Sequence, residues 1–321
     1  METKKHIHAL HVAILAGAVA SFGVSFDGWW HLAKGRDSFF ILPHLFVQGS
    51  LFIMLAQSFF AWRRLRMLSW RRIFFALLIV PLTIPFDEAW HRWRGKETVA
   101  SVLIIWSPPH FFFFAAAITA LTLLVHEIKK EQDLAGREIF GALLLASLLN
   151  VLLIFFAPFF PFSPYAVVGF AGAGIAAFLS IAVYLYAERF FGPVIPALLA
   201  ALFTLTFQGA LFDAGVVAGS RAAGSYPHLP NWLLAISTIS MVGIVSSGIA
   251  KKSTTRGFLA GAAGGLFLYA LPLQFAVFPV SYGMADAVLA IIGTAAGGTL
   301  AAMVVNRMAN KQPIISNYIK L

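Results

Sequence analysis

Val12-Ala13-Ile14-Leu15-Ala16-Gly17-Ala18-Val19-Ala20-Ser21-Phe22-Gly23-Val24-Ser25-Phe26-Asp27-Gly28-Trp29-Trp30-His31 is the stretch on which the fold turns. No residue from Val12 to Phe26 is charged, and the run closes on Asp27, paired tryptophans and His31. A helix crosses a bilayer when about 20 mostly apolar residues follow one another, and residues 8–28 satisfy that. No small-residue cleavage site follows a short apolar core, so the segment reads as a retained helix and not as a signal peptide.

Working outward, nine more such segments follow, at 39–62, 73–91, 100–125, 138–160, 166–187, 193–217, 231–250, 257–278 and 284–306. The expected fold class is therefore all-α: a polytopic membrane bundle of about ten helices. Composition agrees. The 321 residues are 60% hydrophobic and 11% charged, where soluble domains carry roughly 25% charged residues. So apolar a chain excludes a soluble enzyme, a disordered chain and a secreted disulfide scaffold. With no cysteine, thiolate metal sites, iron–sulfur clusters and thiol redox switches are excluded as well.

The net charge of +10 has a topological explanation. With a cytoplasmic N-terminus, only Lys34, Arg36, Arg92, Arg94, Lys96 and Arg221 of the 23 Lys and Arg residues fall in outer loops. Such a bias places both termini inside, and no nucleic-acid partner is needed to explain the charge. Two halves are expected: 1–130, and a Gly/Ala-rich 131–321 whose small residues suit close helix packing in lipid.

The decisive motif occurs twice. Residues 26–38 read Phe-Asp-Gly-Trp-Trp-His-Leu-Ala-Lys-Gly-Arg-Asp-Ser, and residues 86–98 read Phe-Asp-Glu-Ala-Trp-His-Arg-Trp-Arg-Gly-Lys-Glu-Thr. Each copy is followed by a Pro-His pair heading the next apolar segment, Pro43-His44 and Pro109-His110. On a helix, Asp27 with His31, and Asp87 with His91, share one face about one turn apart. Each hairpin thus offers one carboxylate and two imidazoles. Without thiols, that set suits copper, non-haem iron, zinc or manganese and leaves positions open for water or oxygen. The bland alternative is an interfacial salt bridge with Trp29, Trp30 and Trp90 as membrane anchors. Ionisable residues inside a membrane are costly and mostly functional, and six of them repeating as two triads favour the metal reading.

The copies differ in one respect. His44 follows His31 by 13 residues, whereas His110 follows His91 by 19. The surplus falls in apolar Val99–Trp106, expected to lie along or dip into the outer leaflet. Ser107-Pro108 then reads as an N-cap followed by proline at the first helical position. The two triads are expected about 8–20 Å apart, one or two helix spacings, around a pocket lined by Trp30, Trp90, Phe39 and Phe111.

Asp27-Gly-Trp-Trp-His31, Arg36-Asp37-Ser38-Phe39 and Pro43-His44 resemble the metal-binding stretch of the C subunit of the particulate methane and ammonia monooxygenases. The likeness spans roughly residues 20–120. It implies copper held by Asp27, His31 and His44, with these residues at the catalytic centre. In that family a second site on the following hairpin uses an Asn and two His. Asp87, His91 and His110 are similar to it, with Asp in place of Asn and a longer gap to the last His. The remaining six segments carry no such likeness.

Of the other polar residues, Glu88, Asp213 and the tryptophans Trp30 and Trp90 are expected to support the sites or line the pocket. Gln208 lies near Asp213, Glu97 lies beside the second site, His228 in an outer loop is unassigned, and His126 faces the inner side with no functional role expected. His6, His8 and His11 form a metal-delivery motif or a frayed basic terminus. Nucleotide-binding and hydrolase motifs are absent.

The sequence thus leads to a copper-binding membrane protein that activates oxygen and hydroxylates a small apolar substrate arriving through lipid. Other membrane subunits or a second copy are its expected partners. The expected location is a bacterial or archaeal cytoplasmic membrane, with the sites toward the outer face. A copper transporter, loading factor or sensor without oxygen chemistry is the alternative, and a non-haem iron oxygenase a further one. Zinc remains open as the metal.

Overall fold

A computed structural model describes residues 2–33, 41–95, 106–132, 134–156, 169–192, 195, 199, 200, 202, 203, 253–266 and 284–310. Among them the chain forms helices α1 (Glu2–Ala33), α2 (Leu42–Leu65), α3 (Leu68–Leu77), α4 (Ile79–Arg94) and α5 (Pro108–Lys130). After these come α6 (Arg137–Phe155), α7 (Gly169–Phe191), α8 (Ser253–Gly265) and α9 (Met284–Asn310). No strand occurs among the described residues.

Seven of these stretches are long and apolar enough to cross a membrane: α1, α2, α3 with α4 as one span, α5, α6, α7 and α9. The expected segments at 193–217, 231–250 and 257–278 lie wholly or largely outside the described residues, α8 covering the start of the last. The chain is a helical membrane protein, and the count of ten remains a reading of the sequence.

Prolines explain two helix boundaries. Pro81 has no N–H to give to the carbonyl of Leu77, one turn back, and α3 yields to α4 at Leu78. Helix α5 starts at Pro108, as Ser107-Pro108 predicts, with prolines in its first two positions and Ser107 at the N-cap. The Ser107 hydroxyl makes no capping bond. One of the two N–H groups that a cap side chain serves does not exist there, because the second helical position is Pro109.

The spans alternate in direction, and side-chain contacts identify the two ends of the bundle. At one end His6 of α1 meets Trp70 of α3 and Glu131, just past α5. At the other end Asp27 of α1 meets His44 of α2. There, too, Asp87 of α4 meets His110 of α5, and Trp106 donates to the carbonyl of Phe155 at the end of α6. Both copies of the motif therefore occupy the same end.

Helix α6 packs on α1, α5 and α7, while α7, α8 and α9 form a tight group. In lipid, helices associate through close packing more than through hydrophobic burial, and glycine permits the approach. A Cβ on Gly298 would strike the backbone of Gly257, and one on Gly297 the backbone of Gly174. Arg256 of α8 and Glu188 of α7 add an ion pair at 2.7 Å. Large apolar side chains such as Phe60, Leu82 and Ile292 point outward, as a lipid-facing surface requires.

Candidate metal centre

Asp87 and His91 lie four residues apart near the end of α4, so one turn separates them on a common face. Asp87 is 8% exposed, and its Oδ1 lies 3.0 Å from His91 Nε2. His110 is the third residue of α5, following Pro108 and Pro109, and its Nε2 lies 3.2 Å from the same oxygen. The imidazole rings of His91 and His110 are 6.2 Å apart. One donor atom from each of the three residues falls within 4.8 Å of the others.

These spacings fit a metal. With metal–nitrogen bonds of about 2.0–2.1 Å and ligand angles near 90–110°, adjacent donor atoms sit about 2.9–3.4 Å apart. Without an ion the same contacts are imidazole–carboxylate pairs that share one oxygen. A carboxylate with two imidazoles is a set that transition metals take while keeping open positions.

The first hairpin repeats the essential contact. Asp27 Oδ1 lies 3.0 Å from His44 Nε2, and His44 is likewise the third residue of its helix, following Leu42 and Pro43. In both hairpins a proline at the second position starts the descending helix, so the histidine beside it occupies the first turn. The longer gap before His110 consequently leaves the Asp–His contact unchanged. His31 belongs to α1, but its side chain lies outside the described residues.

Gly95 explains the glycine of the motif. It ends α4 with φ +83°, a conformation that L side chains rarely adopt, and its N–H bonds the carbonyl of His91 at 3.0 Å. Its counterpart Gly35 lies outside the described residues, as do Asp37, Phe39, Glu97, Gln208, Asp213 and His228.

The expected supporting residues divide. Glu88 is exposed and pairs with Arg92 at 2.9 Å, away from the imidazoles. Trp90 packs edge-on to Trp93 with Arg94 beside both rings, the arrangement of an interface anchor. Trp30 packs against Phe26, itself against Phe46. Phe111 contacts Phe155 and is half exposed.

The N-terminal histidines are no frayed end. Helix α1 is formed from Glu2, and His6 is buried, accepting from Trp70 Nε1 at 3.0 Å and facing Glu131 at 3.2 Å. His11 packs on Phe140, and His8 is exposed. These three histidines therefore have different surroundings.

One polar cluster has no counterpart in the sequence reading. Asn150 of α6, fully buried, bonds Ser21 and Ser25 of α1. The available signal is a lone amide inside an otherwise apolar span, Arg137–Phe155, of mean hydropathy 2.3.

Comparison with protein-family models, with curated proteins and with solved structures finds nothing that matches this chain.

Proposed function

We propose that this chain is a membrane metalloprotein whose two hairpins each hold a transition-metal ion. Copper is the leading metal, and the function is oxygen activation for hydroxylation of a small apolar substrate. The observation that carries the reading is the closure of Asp87, His91 and His110 to within 4.8 Å of one another. The Asp27–His44 contact, made by the same atom types in the repeated motif, supports a like centre in the first hairpin. So does the likeness of residues 20–120 to the monooxygenase C subunit.

Bound copper would supply the redox step with dioxygen. The chain's own residues would hold and shield it. Asp87 brings one negative charge, His91 and His110 offer neutral Nε2 donors, and the apolar surroundings of the bundle keep bulk water away. Trp90 and Trp93 fix the depth of this end at the membrane surface. The positive-inside pattern supports an outer-face location for this end, in what we read as a bacterial or archaeal cytoplasmic membrane. Other membrane subunits or a second copy of the chain would complete the assembly.

Metal analysis of the purified protein, with an electron paramagnetic resonance spectrum to separate copper(II) from iron, tests this reading. Two equivalents of copper are expected, and His91→Ala and His44→Ala should each remove one. Oxygen uptake by the copper(I) form separates an oxygenase from a copper transporter, loading factor or sensor. Metal content unchanged in both variants would leave the contacts as structural ion pairs.

A further inference from the structure

A buried carboxamide on α6 is bonded to α1 a short way before Asp27. Asn150 Nδ2 donates to Ser21 O at 3.0 Å, Ser21 Oγ at 3.0 Å and Ser25 Oγ at 2.9 Å. Ser25 Oγ donates back to Asn150 Oδ1 at 3.2 Å, and Ser21 Oγ donates to Ser147 O at 3.2 Å. All four side chains are buried, with Asn150 and Ser147 at 0% exposure. Polar groups at this depth have no water to turn to, so rotating α1 would strand the amide and both hydroxyls. The cluster therefore selects one rotation of α1 about its axis.

That rotation decides the first hairpin. Successive residues of a helix turn by about 100°, so Ser21 and Ser25 share one face and Gly23 and Asp27 nearly the opposite one. Gly23 does lie against α2, where an added Cβ would come within 2.9 Å of the Val47 backbone. Asp27 meets His44 of the same helix at 3.0 Å. We infer that Asn150 is a positioning residue for the first metal centre: by binding Ser21 and Ser25 it turns Asp27 toward His44. Among the described residues the second centre is built from α4 and α5, and it does not depend on this rotation.

The inference rests on the proposed metal reading for its functional meaning, but its geometry can be tested without metal. The chain has no cysteine, so Phe26→Cys with Phe46→Cys gives a single disulfide reporter between α1 and α2, at side chains whose rings are 6.3 Å apart. Oxidative cross-linking of this pair should be efficient in the full-length protein and several-fold slower once Asn150→Leu is added. In the cysteine-free background, copper(II) titration of Asn150→Leu should weaken the first centre about 10–100-fold, as loss of a residue that orients a ligand does. The second centre, read from its own paramagnetic signal, should stay within twofold. Ser21→Ala with Ser25→Ala should reproduce the pattern from the α1 side.

Parallel weakening of both centres would mean general destabilisation and would overturn the inference, as would unchanged cross-linking in both sets of variants. Slower cross-linking with no copper bound at Asp27 in the parent would instead uphold the positioning role and defeat the first metal centre.

Discussion

Asp87 Oδ1 and His110 Nε2 lie 3.2 Å apart across two helices, matching the 3.0 Å between Asp27 Oδ1 and His44 Nε2. The two loops differ by six residues, yet the contact is the same. A proline at the second position of each descending helix fixes where that helix starts, and the start, not the loop length, places the histidine.

Asp87→Asn should weaken metal at the second centre and leave the first intact. The amide keeps the shape but removes the negative charge that a divalent cation seeks. Site-resolved copper titration should show a loss of about tenfold or more, in the range seen when a site's supporting groups are altered. Equal affinity in the variant would show that Asp87 is no ligand.

Glu88→Gln should change little. Glu88 is exposed and pairs only one turn along its own helix with Arg92, and such pairs contribute about 0–1 kcal/mol. Copper stoichiometry and the melting temperature should match the parent. Loss of an equivalent of copper would bring Glu88 into the site.

Gly95→Ala should destabilise through the backbone alone, because nothing lies within 4 Å of a Cβ there and φ is +83°. Holding an L residue in such a conformation costs about 1–3 kcal/mol, read as a lower melting temperature in detergent. Gly49→Ala is the opposite case. It sits inside α2 with nothing within 4 Å and no positive φ, so helix propensity should raise stability by about 0.5–1 kcal/mol.

Gly298→Val should prevent α8 and α9 from docking. The added side chain would meet the backbone carbonyl of Gly257 and the Ile181 side chain; overpacking of this kind costs about 1–3 kcal/mol or more, and backbone cannot swing aside. Low yield of folded protein by size-exclusion chromatography is the expected result. A parent-like profile and melting temperature would count against the glycine contact.

His6→Ala should lower stability but leave copper binding unchanged. It strands the buried Trp70 N–H, and an unmet buried donor costs about 1–3 kcal/mol. The residue lies at the end of the bundle opposite both candidate centres. Any selective loss of copper would mean that the ends are coupled.

The amino-acid order by itself determined the membrane class, the repeated motif and the residue types offered to a metal. Those properties are local: hydropathy needs only a run of about 20 residues, and an Asp–His pair four apart shares a helix face whatever surrounds it. Even the late start of α5 was written in Ser107-Pro108-Pro109.

Tertiary structure decided the rest. Glu88 turned to Arg92 instead of the imidazoles, since exposure left it a partner on its own helix. His6 left the solvent because α3 and the end of α5 brought Trp70 and Glu131 to its two nitrogens. The facing of Asp27 depends on Asn150, more than 120 residues away in sequence. Pairings between helices depend on which faces meet, and buried polar groups that must all find partners in a waterless interior choose among those faces only once the bundle has assembled.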